Sequence, residues 1–102
     1  MDDISIDSGP LATAAPDARG VSAFKGLPYA AAPVGPLRWR APQPVAPWRE
    51  PRPAGAFGPS AMQGVIWDDI DLAGAGVSEG CLYLNVWAPP TQGRAPVLFW
   101  IP

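Results

Sequence analysis

Ser78-Glu79-Gly80-Cys81-Leu82-Tyr83-Leu84-Asn85-Val86-Trp87-Ala88-Pro89 is the stretch on which the reading of this chain turns. Leu82, Leu84 and Val86 alternate with Tyr83, Asn85 and Trp87, the period of two that puts each set on its own face of an extended strand. Its flanks are of a different kind. Residues 60–80 contain no proline but carry Gly64, Gly74, Gly76 and Gly80 together with Asp68, Asp69 and Asp71, the composition of a long surface loop. Downstream, Pro89-Pro90-Thr91-Gln92-Gly93-Arg94 is rich in turn formers and leads to Val97-Leu98-Phe99-Trp100-Ile101. That continuous apolar run is the pattern of a strand buried on both faces. The two segments are expected to be strands and to pair antiparallel.

Working outward, Gly20-Val21-Ser22-Ala23-Phe24-Lys25-Gly26 alternates weakly between two glycines and predicts one more short strand. Residues 28–59 are crowded with prolines. An interior proline removes a helical hydrogen bond and costs about 3 kcal/mol, so this stretch is expected to be extended or turning throughout, with Trp39 and Trp48 as the anchors that pin it to a larger body. A strand buried on both faces needs covering layers, usually helices, and no amphipathic helix can be found in the sequence. The chain therefore reads as unfinished, with residues 97–101 left on an uncovered edge that is prone to aggregate.

The 102 residues are enough for one small domain and are read as a single unit, 1–102. At 48% apolar the composition is globular, although 15 prolines and 11 glycines demand many turns. Net charge is −2 and the charges are scattered, which argues against a nucleic-acid partner or an anionic membrane. The apolar run 97–101 falls far short of the roughly 18 residues that cross a bilayer. Asp2 and Asp3 stand where a secretory leader would be basic. With one cysteine, Cys81, no internal disulfide is possible, and a cytoplasmic location is the expectation. The count that most limits function is zero histidines: no Ser-His-Asp or Cys-His machinery can be assembled within these residues.

Three segments, in order, resemble the type-B (cholinesterase-like) carboxylesterase family. Ala23-Phe24-Lys25-Gly26-Leu27-Pro28-Tyr29-Ala30 followed by Pro33-Val34-Gly35-Pro36-Leu37-Arg38-Trp39 is similar to the family's F-x-G-I-P-Y-A and P-P-V-G-x-x-R-F stretch. Pro42-Gln43-Pro44 with Pro47-Trp48 resembles its P-x-P and P-W pair. The opening stretch, 78–89, resembles S-E-D-C-L-Y-L-N-V-W-x-P. In the family the strand matching 97–101 runs into a His-Gly-Gly loop that forms the oxyanion hole, whereas here the next residue is Pro102. The nucleophile, acid and histidine of such enzymes come later still, so the resemblance assigns none of them to this chain. It departs from the family at Gly80, where Asp is usual, and at Ala61, where the usual partner of Cys81 would be a cysteine. The resemblance thus implies a free thiol at Cys81.

Gly76-Val77-Ser78-Glu79-Gly80 matches G-x-S-x-G literally. A nucleophile elbow requires a buried strand before the serine and a helix after it, whereas Ser78 follows a glycine-rich loop and precedes a strand. Ser78 is accordingly read as a decoy and the chain as lacking catalytic residues. Asp68, Asp69 and Asp71 invite a metal reading, but no Glu stands at the distance a calcium loop needs, and no metal is expected. Trp67 is a candidate for the rim of an ester pocket in the complete enzyme. Arg38 and Glu79 occupy positions that the family joins in a salt bridge. Were that bridge buried, loss of one partner would cost about 3 to 5 kcal/mol.

The resemblance implies an α/β class fold, the α/β-hydrolase, of which this chain supplies the small N-terminal antiparallel region and the first strands of the main sheet, mostly β and coil. It also implies cofactor-free hydrolysis of a small-molecule carboxylic ester through an acyl-enzyme, with the remainder of a hydrolase domain as partner. Two alternatives are a non-catalytic cholinesterase-like binding module and a gene fragment without independent function.

Overall fold

The computed structural model describes residues 4–12, 14–64, 76–90 and 92–101. Within them lie β1 (Ile4–Ile6), β2 (Gly9–Ala12), β3 (Ser22–Pro28), β4 (Arg52–Pro53) and β5 (Tyr83–Ala88). β1 and β2 form an antiparallel hairpin around Asp7 and Ser8, and β4 joins β2 in parallel, giving the order β1-β2-β4. β3 and β5 pair antiparallel in a second sheet. The only helical turn among the described residues is the 3-10 segment Gly35–Leu37, whose first turn holds Pro36, where a missing N–H is no loss.

The core lies between the sheets. Leu11 of β2, at 1% exposure, packs with Phe24 and Leu27 of β3 and with Ala54 just after β4, and Trp48, Leu84 and Ala88 close around them. Phe24 and Leu27 are three residues apart, an odd spacing that in a regular strand would send them to opposite faces. A bulge reconciles them. Phe24 pairs with Val86 and Leu27 with Leu84, so Lys25 and Gly26 together face Asn85 alone, and the extra residue returns both side chains to the core face. Gly26 takes φ +67°, and a Cβ there would sit 2.6 Å from the Ala56 carbonyl, so only glycine fits. Its N–H donates to the side-chain oxygen of Asn85 at 3.0 Å.

Trp48 ties the proline-rich segment to this core. Its backbone N–H donates to the Ser8 carbonyl at 2.8 Å and its indole N–H to the Pro10 carbonyl at 2.7 Å. The indole lies so close to Gly9 that a Cβ there would come within 2.6 Å of the ring. The guanidinium of Arg52 covers the ring at 5.2 Å. Further along, the Lys25 N–H donates to the Ala54 carbonyl at 2.8 Å, so chain that cannot form a helix is held by single hydrogen bonds to strands.

One expectation from the sequence, the pairing of residues 97–101, needs correction, and the two tryptophans of the proline-rich segment differ. Trp39, unlike Trp48, does not hold the segment to the described residues: it is 91% exposed, on a backbone with φ +62° just after the 3-10 turn. That left-handed conformation turns the ring away from the protein, where only the Arg38 guanidinium, 5.8 Å from its centroid, accompanies it. Residues 97–101 do not pair with β5, and no strand is formed there. One side of β5 is occupied by β3, which brings Phe24 and Leu27 to the shared core. The connection to residues 97–101 carries Pro89, Pro90 and Pro96, which have no N–H to donate and prevent a tight hairpin. The exposure expected of this run is present: Val97, Leu98, Phe99, Trp100 and Ile101 are 71 to 94% accessible.

Candidate functional site

Of the polar residues singled out from sequence, Arg38, Ser78, Glu79 and Cys81 gather at the entry to β5. Backbone hydrogen bonds set this entry. The Ser60 N–H donates to the Gly76 carbonyl at 2.8 Å and the Ser78 N–H to the Ser60 carbonyl at 2.9 Å, making a one-residue parallel bridge between Ser60 and Val77. The bridge closes the base of the loop between residues 60 and 78. From there the chain turns sharply, with the Cys81 N–H on the Glu79 carbonyl and the Tyr83 N–H on the Cys81 carbonyl, at 3.1 and 3.0 Å.

Ser78 sits in this turn. Its hydroxyl oxygen accepts the Gly80 N–H at 3.1 Å, a local hydrogen bond of the kind serine forms in turns. It precedes a strand instead of joining a strand to a helix, and the chain has no histidine to remove its proton. Glu79, the next residue, accepts Arg38: Nε lies 3.0 Å from Oε1. Arg38 is delivered by the 3-10 turn, its own N–H donating to the Gly35 carbonyl. The pair therefore joins the proline-rich segment to the start of β5. Both side chains are about half exposed, 58% and 46%, so solvent screens the attraction and it is worth at most about 1 kcal/mol. The penalty for stranding a buried charge does not apply here.

Cys81 is a free thiol, half-buried at the last turn before β5. Trp67 and the group Asp68, Asp69 and Asp71 lie outside the described residues. Among the described residues no cluster of His, Cys, Asp and Glu could hold a metal ion. Beside the β5 entry is a shallow cavity of about 230 Å³, lined chiefly by Ala30, Ala31, Ala32, Val45 and Leu82, with Arg52 and Tyr83 at its polar side. No nucleophile or carboxylate lines it. The site joins two segments of chain and offers no group that could attack a carbonyl. The residue that sequence reading missed is Asn85, whose carboxamide completes the β3 bulge. Its signal was a glycine inside an alternating strand, which marks a bulge.

The sequence profile of the carboxylesterase family matches residues 8–102. The chain belongs to the carboxylesterase family. Phenmedipham hydrolase of Pseudarthrobacter oxydans is 46% identical over 87 residues, which are 80% of this chain and 18% of that protein. Acetylcholinesterase of Bungarus fasciatus is 42% identical over 89 residues, 79% of this chain and 15% of its own length. Among solved structures, the carboxylesterase EST55 of Geobacillus stearothermophilus at pH 6.2 superposes with a TM-score of 0.78 at 39% identity. That match covers 97% of this chain and 19% of EST55. A thermophilic pNB esterase superposes with a TM-score of 0.72 at 34% identity, over 87% of this chain and 18% of its own. The chain thus spans under a fifth of the length of these relatives, and its fold is the N-terminal region of an α/β-hydrolase, mostly strand and coil.

Proposed function

We propose that this chain is the N-terminal part of a serine carboxylic-ester hydrolase acting on small-molecule esters without a cofactor. In such a reaction a serine oxygen attacks the ester carbonyl, the alcohol leaves with a proton, and water then releases the acid from the acyl-enzyme. Backbone N–H groups hold the oxyanion in both steps. Residues 1–102 contain no histidine, and Ser78 is engaged in a turn. Their role in this reading is to build the first strands on which a catalytic body assembles. The observation that supports it is the family match over residues 8–102, across both sheets and the β5 entry.

Two measurements test the proposal. The 102-residue chain alone is expected to hydrolyse p-nitrophenyl butyrate no faster than buffer, and turnover that disappears in Ser78→Ala would make Ser78 a nucleophile after all. Fused in place of the matching segment of EST55, residues 1–101 are expected to yield an active esterase. A soluble, folded fusion without ester turnover would argue against the hydrolase reading.

A further inference from the structure

The conformation of Gln43-Pro44-Val45-Ala46-Pro47-Trp48-Arg49 is set largely by its own residues. Pro42, Pro44 and Pro47 hold their φ near about −65°. Ala41, Gln43 and Ala46, each followed by a proline, are pushed toward the extended or polyproline region. Within 41–47 this leaves Val45 alone unconstrained. The backbone here forms no helix or strand, in keeping with polyproline II, a helix of three residues per turn without internal hydrogen bonds. Exposure follows that period. Val45 and Trp48 are half-buried, whereas Gln43, Pro44, Ala46, Pro47 and Arg49 are exposed. The inner side is fastened by the Trp48 N–H and indole on the Ser8 and Pro10 carbonyls, and by the Ala31 N–H on the Gln43 carbonyl at 2.9 Å. The ion pairs among the described residues are Arg19–Asp17 and Arg38–Glu79, so the Arg49 guanidinium has no carboxylate partner among them.

We infer that this ridge is a docking site for a partner domain with an SH3-type groove, lined by aromatic side chains and ending in an acidic pocket. Such a groove takes a polyproline II ligand against two of the ligand's three edges. Two residue–proline pairs fill neighbouring aromatic slots, a basic side chain two residues beyond the second proline enters the acidic pocket, and the third edge faces away. Here Gln43-Pro44 and Ala46-Pro47 are the pairs and Arg49 is the basic residue. The edge that the groove leaves untouched is Val45 and Trp48, the same two side chains that face this protein's own body. Scaffold and partner therefore make no competing demand on any side chain. Because the body already holds the segment extended, docking avoids much of the ordering cost that a free peptide would meet. Arg49 favours an SH3-type groove over other proline-reading grooves, since it supplies the charge that the acidic pocket complements. The docking site stands independently of the proposed ester hydrolysis.

The test titrates an isotope-labelled SH3 domain, of the kind that prefers arginine after the second proline, with the unlabelled 102-residue chain and follows its amide NMR spectrum. Saturable shifts at the aromatic groove and the acidic pocket are expected, and the same shifts with residues 1–101 fused to the EST55 body. Arg49→Ala is expected to weaken binding about tenfold, the worth of one charge-assisted hydrogen bond, and Pro47→Ala to weaken it comparably. Arg40→Ala, at an exposed arginine outside the motif, should leave binding unchanged. All three side chains are exposed, and retained exchange protection of the Lys25 amide shows that each variant keeps its fold. Absence of saturable shifts, or equal losses in Arg40→Ala and Arg49→Ala, would overturn the docking site. So would binding by a free peptide of residues 40–52, or by the chain, that is lost in the soluble, folded fusion, because the ridge would then be covered in a complete hydrolase.

Discussion

Residues 28–59 and residues 83–101 reverse the usual relation between composition and burial. The first segment is full of proline and nearly without regular structure, yet it is fastened to the core through Trp48, Ala54 and three backbone or indole hydrogen bonds at 2.7 to 2.8 Å. The second is apolar and strand-forming, yet Asn85, Val86 and Trp87 and the whole of 97–101 face solvent. The difference teaches that burial depends on where a partner is available. A proline-rich chain gains one when a single tryptophan finds two carbonyls and a glycine to lie against. Residues 97–101, at 71 to 94% exposure, gain none among the described residues.

The largest effect expected from breaking this arrangement is in Trp48→Ala. Losing a large, partly buried ring and its indole bond is expected to cost about 3 kcal/mol. It should release the segment around β4, seen as lost exchange protection of the Lys25 amide, which donates to Ala54. Trp39→Ala serves as the contrast, since an exposed site away from packing changes stability by about 0.5 kcal/mol or less. Equal damage from the two variants would remove the distinction between anchored and unanchored tryptophans.

The next effect is a gain. The family resemblance makes position 61 the usual disulfide partner of Cys81, the Ser60–Val77 bridge fixes the chain next to position 61, and Ala61→Cys is expected to oxidise to a disulfide with Cys81. Closing a loop of this size stabilises by about 3 kcal/mol in the chain-entropy account. Thiol titration under denaturing, non-reducing conditions should find one thiol per chain before the substitution and none in the oxidised variant. Two titratable thiols after oxidation would show that the β5 entry is not held as described.

A smaller effect is expected at the bulge. Asn85→Ala leaves the Gly26 N–H without its acceptor, at a cost of about 1 kcal/mol. The Gly26 amide should then exchange faster, while Asn85→Asp, which keeps an oxygen in place, should preserve its protection. The smallest effect belongs to the pair at the β5 entry. Arg38→Met or Glu79→Gln is expected to change stability by no more than about 1 kcal/mol, with the difference shrinking further in high salt. A loss several times larger and indifferent to salt would mean that the pair is shielded from solvent, contrary to its half-exposed geometry.

The sequence by itself determined whatever depends on local chemistry. Alternation marked residues 82–87 as a strand and, more weakly, 20–26 as another, and both are strands with ends shifted by one or two residues. Proline density excluded an α-helix from 28–59, and the absence of histidine excluded a triad from the chain. The pairing of Arg38 with Glu79 came from family resemblance, since nothing in their separation along the chain suggests contact. Tertiary structure alone decided which strands meet. β5 lies against β3, not against residues 97–101, because Phe24 and Leu27 can share a core with Leu84 only once an extra residue at Lys25-Gly26 corrects their spacing. It likewise separated Trp48 from Trp39, two residues of one type in one proline-rich segment. Which of them packs against the core depends on the carbonyls of Ser8 and Pro10, far away in sequence, and on a backbone turn at φ +62° that leaves Trp39 facing water.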